Sequence, residues 1–128
     1  MAASLTFELE QFQKGYFLSW SVSTQCWNTV SVTLKVGNTI YFSNRKNGHS
    51  TDLQIISQGS RNHDRDGTPV LTITIDEAST LKQSFTSGAI NNQRAHKVGY
   101  VYNFCIEDST DDDYNDVYVN IVDWVKKG

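Results

Sequence analysis

Apolar and polar side chains alternate with a period of two along much of the chain. Val30-Ser31-Val32-Thr33-Leu34-Lys35-Val36 puts four apolar side chains on one face. Leu71-Thr72-Ile73-Thr74-Ile75 and Val117-Tyr118-Val119-Asn120-Ile121 repeat the pattern. Each predicts a half-buried antiparallel strand. Leu5–Leu9 and Phe17–Val22 are weaker versions, and Thr39–Ser43 and Asp52–Ser57 fit short strands. Val98–Ile106 is the most apolar run, with Tyr100, Tyr102, Phe104 and Ile106 alternating, which predicts a central strand. No segment sustains a helical apolar period, and residues 77–85 are the one candidate for a helical turn.

Turn signals separate these runs. Gly37-Asn38 fits a two-residue hairpin turn. Residues 44–48 read as a polar loop, residues 59–69 as a longer one ending in the only proline, Pro69, and residues 87–92 as another turn region. About nine short strands in 128 residues predict an all-β fold. The expectation is an antiparallel nine-stranded β-sandwich with Greek-key type connections, a single domain over 1–128.

Composition agrees with a packed core, at 38 % hydrophobic and 12 % aromatic residues. Charge adds something the pattern does not show. The net charge is −3, but six of the 14 acidic residues crowd into residues 107–116: Glu107, Asp108, Asp111, Asp112, Asp113 and Asp116. The rest of the chain sets 11 basic against 8 acidic side chains, a net of +3. No basic run exceeds two residues, so no nucleic-acid footprint is expected. No apolar run reaches the ~20 residues of a membrane span. Residues 1–14 carry Glu8 and Glu10, so no secretory signal peptide is expected there. Cytoplasmic synthesis is the expectation, with export or cell-surface display by a non-classical route open. Cys26 and Cys105 can pair or remain thiols.

The acidic window leaves one apolar strand and enters another, so it is a loop at one end of a sheet. Neighbouring charges ~4 Å apart there repel by about 4 kcal/mol per pair at an effective dielectric near 20. A bound cation resolves that conflict. Every donor in the loop is an oxygen, from carboxylates, the Asn115 amide or backbone carbonyls. Such ligands suit Ca²⁺, which takes about six to eight of them. Glu107, Asp111, Asp113, Asn115 and Asp116 are the strong donors, enough to bridge two ions. The loop does not fit the EF-hand template. Zinc is not favoured, because His49, His63 and His96 are scattered without ligand spacing. Residues 62–67, Asn-His-Asp-Arg-Asp-Gly, resemble half a calcium loop, but Ile73 stands where a closing carboxylate belongs and Arg61 and Arg65 offset the charge. A polar turn is the expectation there.

The run from Glu107 to Asp116, followed by an apolar strand, Trp124 and Gly128, resembles the bacterial calcium-dependent fucose/mannose-binding lectins, the fucose-binding lectin II family. That family carries a Glu-Asp-Gly-x-Asp-x-Asp-Tyr-Asn-Asp loop, a strand and a Trp-Pro-x-Gly ending. The resemblance implies a nine-stranded sandwich holding two Ca²⁺ per subunit. It places Glu107, Asp111, Asp113, Asn115 and Asp116 on the metal ligands, with Glu107, Asp111 and Asp113 also at the sugar. It places Asp108 on a sugar-binding residue and Gly128 on a terminal glycine whose carboxylate reaches a partner subunit's calcium. A backbone carbonyl near Ser23 completes the ligand set, and Thr24, Gln25 and Cys26 occupy the sugar-specificity position. Ser109 departs from the loop glycine, and Lys126-Lys127 from the Pro-x pair.

The function expected is that of a calcium-dependent lectin, not an enzyme. Two Ca²⁺ would coordinate vicinal hydroxyls of a fucose- or mannose-type sugar. Monosaccharides or glycans are the expected partners, in a homodimer or homotetramer, since weak single sites gain from avidity. The alternative is a calcium-stabilised adhesion or assembly module that binds no sugar. Trp27 either packs on a sugar or joins the core. Trp20 and Trp124 are assigned to the core.

Overall fold

The computed structural model describes residues 2–46, 48–108 and 112–128. Nine strands follow one another: β1 (Ala3–Glu8), β2 (Phe17–Thr24), β3 (Val30–Val36), β4 (Thr39–Arg45), β5 (Gln54–Asn62), β6 (Val70–Ile75), β7 (Lys82–Asn91), β8 (Lys97–Glu107) and β9 (Val117–Trp124). They form a four-stranded sheet in the order β1-β6-β3-β4 and a five-stranded sheet in the order β5-β2-β9-β8-β7. All pairings are antiparallel. The chain crosses repeatedly between the sheets, which makes a β-sandwich. No helix is long and apolar enough to cross a membrane.

The predicted alternation is what packs the sandwich. Val30, Val32, Leu34, Leu71, Ile73 and Ile75 meet Leu18, Val22, Phe104, Ile106, Val117, Val119 and Ile121, all essentially inaccessible to solvent. Fully burying an aliphatic side chain contributes roughly 1.5–3 kcal/mol, so these positions fix the register. A slip by one residue would turn each set outward. The β3–β4 hairpin closes at Val36↔Thr39 over Gly37-Asn38, with Gly37 in the left-handed region at φ 57.

Four expectations are corrected. Residues 82–91, read as a helical turn and a turn region, form the extended strand β7. Residues 59–62 belong to β5, not to a loop. There the absence of a side chain at Gly59 admits Trp20, whose ring would lie 2.9 Å from a Cβ. Trp20 packs on the core and stacks on Phe42 at 4.7 Å. Trp124, by contrast, is half-buried outside the core and donates its indole N–H to Ser19 Oγ at 2.9 Å. The middle strand of the larger sheet is β9, with β8 beside it.

Candidate metal and ligand site

The β8–β9 hairpin builds the acidic site from its register. Ile106 pairs with Val117, so Glu107 and Asp116 stand next to each other at the base of the connecting loop. Glu107 is wholly buried and Asp116 is 5 % exposed. Glu107 accepts the backbone N–H of Asp112 at 2.5 Å, and Asp116 Oδ2 accepts that of Asp108 at 2.8 Å. The loop thus folds back onto the two carboxylates. Asp112 and Tyr114 take left-handed backbone conformations, at φ 58 and 54. Aspartate tolerates that region, but for tyrosine it costs of order 1–3 kcal/mol.

The curl brings Asp113 to the pair. One carboxylate oxygen each from Glu107, Asp113 and Asp116 lies within 4.8 Å of the others. Oxygens on opposite sides of a Ca²⁺ are about 5 Å apart, so the spacing is compatible with one ion of that size held between the three. The donor set is all oxygen, which suits a hard cation. Burial pushes the Asp116 carboxyl up to about 6, and this is the cost that a cation removes. Among the described residues no other cluster of acidic, histidine or cysteine side chains has this spacing.

The remaining expected residues fall as follows. Asp111 lies outside the described residues. Asp112, not assigned a metal role, pairs with Lys82 at 2.9 Å. Asn115 is exposed at the loop's surface. The end of β2 runs alongside the site: Thr24 pairs with Val117, and the Gln25 N–H donates to the Asp116 carbonyl at 3.2 Å. Ser23 is one residue back, opposite Tyr118. Thr24 is wholly buried, with its hydroxyl lacking a hydrogen-bond partner among the described residues, whereas Gln25 is exposed. Asp108 is half-buried and accepts a hydrogen bond from Asn28 Nδ2 at 2.9 Å. Gly128 is exposed, beyond the far end of β9. That strand is eight residues long, about 25 Å at its usual rise, so Gly128 cannot reach the acidic site of its own chain.

One supporting residue escaped sequence reasoning. Lys46 is 1 % exposed, and its ammonium donates to the carbonyls of Cys26, Asn28 (3.1 Å) and Ser50 (3.0 Å). It acts as a fixed internal cation that holds residues 26–28 in place, and Asn28 in turn holds Asp108. Nothing in the polar run 44–48 signals this burial. Thr29 closes the same loop on Glu77, whose carboxyl its backbone N–H holds down at about 2. Trp27 projects from the loop, 60 % exposed, and stacks on His49 at 5.4 Å. It is therefore not a core residue.

Cys26 and Cys105 are both free thiols. Burial pushes Cys26 up to about 12, so it stays a neutral thiol. Residues 63–67 form the irregular segment that follows β5, with His63 buried, and no group of acidic, histidine or cysteine side chains there has metal-binding spacing among the described residues. Asp64 meets Arg61 at 3.3 Å and Asp66 meets Lys14 at 2.8 Å.

A two-sheet sandwich of this order, with an acidic hairpin loop at one end, is the class of fold the chain defines. The same fold is found in three bacterial lectin structures. The C-terminal domain of BC2L-C lectin from Burkholderia cenocepacia superposes with a TM-score of 0.65 at 15 % identity, over 95 % of this chain and 97 % of that one. The Ralstonia solanacearum high-affinity mannose-binding lectin gives 0.64 at 16 % identity, over 91 % and 93 %. Chromobacterium violaceum lectin CV2L, in complex with α-methyl-fucoside, gives 0.56 at 19 % identity, over 86 % and 96 %. Neither a protein-family model nor a curated protein matches the sequence.

Proposed function

We propose that this chain is a calcium-dependent carbohydrate-binding protein whose sugar site is the β8–β9 loop. The observation that carries this reading is the convergence of Glu107, Asp113 and Asp116 within 4.8 Å, in a fold shared with bacterial lectins. These three residues would hold one Ca²⁺. Asp111, Asn115, the Ser23 carbonyl and Gly128 of a neighbouring copy would supply a second. Bound calcium supplies coordination positions for two vicinal sugar hydroxyls, as in fucose or mannose. Asp108, oriented by Asn28, accepts a charge-assisted hydrogen bond from one hydroxyl. Gln25 and Trp27 flank the sugar, with the indole against its C–H face. The need for Gly128 from another chain makes a homodimer or homotetramer the working assembly.

Burial of Glu107 and Asp116 also favours a second reading, in which calcium only fastens the hairpin of an adhesion or assembly module. Isothermal titration with L-fucose and D-mannose, in calcium and then in EDTA, separates the two. The lectin reading expects binding heat in calcium that EDTA abolishes. Absence of that heat for both sugars overturns it.

A further inference from the structure

The two sheets differ in width, and the extra strand leaves an inner face uncovered. Phe85 of β7 lies directly opposite Phe104 of β8, so both point to the inner face of the larger sheet. Phe104 is 1 % exposed and packs against Phe7 of β1 at 4.3 Å, yet Phe85 is 53 % exposed. β1 ends the smaller sheet and β7 ends the larger one. Between them runs a cleft of about 410 Å³, within the ordinary size of a small-molecule site. It shares no residue with the acidic loop.

The cleft has two kinds of wall. Phe7, Phe85 and Tyr100 supply aromatic surface over the Phe104 floor, and Glu8 and Glu10 stand on the rim. Both carboxylates are exposed, and neither joins an ion pair among the described residues. A rim of acceptors demands a ligand rich in donors and repels an anion. Phe7 and Phe85 each lie against Phe104, tilted 31° from it, so the three rings present one broad aromatic face. Tyr100, inclined 58° to its neighbour Tyr102, borders that face.

We infer that this cleft is a second, metal-independent carbohydrate site, taking a pyranose with equatorial hydroxyls. The C–H faces of such a sugar pack on aromatic rings, and its hydroxyls donate to the free carboxylates. The inference goes beyond the calcium site and does not depend on it.

The test uses the isotope-labelled full chain in EDTA, titrated with cellobiose and followed by two-dimensional NMR. Shifts are expected at the amides of residues 7–11, 85–87 and 100, with affinity in the ~mM range, and no shifts at 112–116. Phe85 is about half exposed on the edge strand β7, so Phe85→Ala keeps the fold, checked by an unchanged amide spectrum away from the cleft, and weakens binding by about tenfold or more. Glu10→Gln weakens it less. The assignment is overturned if no cleft amide shifts up to the solubility limit of cellobiose, or if Phe85→Ala leaves the affinity unchanged. It is equally overturned if tetramethylammonium occupies the cleft more tightly than the sugar, or if the β7 amides move with protein concentration alone, the sign of a contact between copies.

Discussion

Two buried aspartates bracket strand β9, Asp116 immediately before it in the acidic loop and Asp123 near its far end. Burial pushes both carboxyls up to about 6. Their surroundings differ. Asp116 stands among Glu107 and Asp113 on a loop with two left-handed non-glycine residues. Asp123 stands apart from other acids, accepts the Gln13 N–H at 2.8 Å, and leaves Oδ1 without a hydrogen-bond partner. Burial alone makes a carboxylate costly. Burial among further carboxylates, on a loop curled around them, creates a place that a proton or a cation relieves.

On the calcium reading proposed above, added calcium should be the largest lever on this comparison. At a hundredfold excess over its dissociation constant it stabilises by about 2.7 kcal/mol, a rise in Tm of roughly 10 °C for a domain of this size. Differential scanning calorimetry in calcium and in EDTA reads it directly. Asp116→Asn should abolish the response, and Asp123→Asn should leave it intact. The ion requires Asp116 ionised, so calcium affinity should fall by about tenfold per pH unit below pH 6. Equal responses in the two variants would end the distinction between the sites.

The sign of the second effect is opposite. A carboxyl whose folded pKa is raised from 3.8 to about 6 favours folding most when protonated, below pH 4. That contribution is lost as the pH rises from about 4 to 6. The ionised Asp123 therefore costs stability at neutral pH. Asp123→Asn should stabilise the protein by about 2 kcal/mol at pH 7 and flatten the decline between pH 4 and 6. Urea denaturation at pH 4, 6 and 7.5 measures both. A destabilised variant at pH 7.5 would mean that the carboxylate has a cationic partner in solution.

What the sequence reveals follows from which faces are buried. Strands β3, β6 and β9 bury one face each, and their alternation is plain in Val30–Val36, Val70–Ile75 and Val117–Ile121. β7 buries almost nothing, so selection for apolar residues at every second position is absent and it reads as turn. The acidic loop is legible because its charges are contiguous and strands bracket them. The support behind it is not. Lys46 looks like any loop lysine until tertiary packing encloses it, and its partners are backbone carbonyls, which leave no mark on composition. Thr24 sits at the expected position beside the loop, yet strand alternation turns its side chain inward. Gly128 lies at the wrong end of β9 for its own site, a fact that needs only the strand's length once the hairpin is known.

The smallest effect on stability should have the sharpest consequence for function. Asp108 lies outside the three-carboxylate cluster and keeps its contact to Asn28 through one oxygen, Oδ2. An asparagine there retains a carbonyl oxygen for Asn28, removes the charge and eases the repulsion of Asp116. Tm in calcium should change by no more than the ~0.5 kcal/mol typical of a surface substitution, and calcium affinity should hold. Sugar affinity should fall about tenfold, because one charge-assisted hydrogen bond becomes a neutral one. A calcium melting curve and a mannose titration on the same Asp108→Asn sample read both quantities. Unchanged sugar affinity would move Asp108 out of the sugar site. A lost calcium response would make it a metal ligand, and the division between the residues that hold the ion and those that hold the sugar would have to be redrawn.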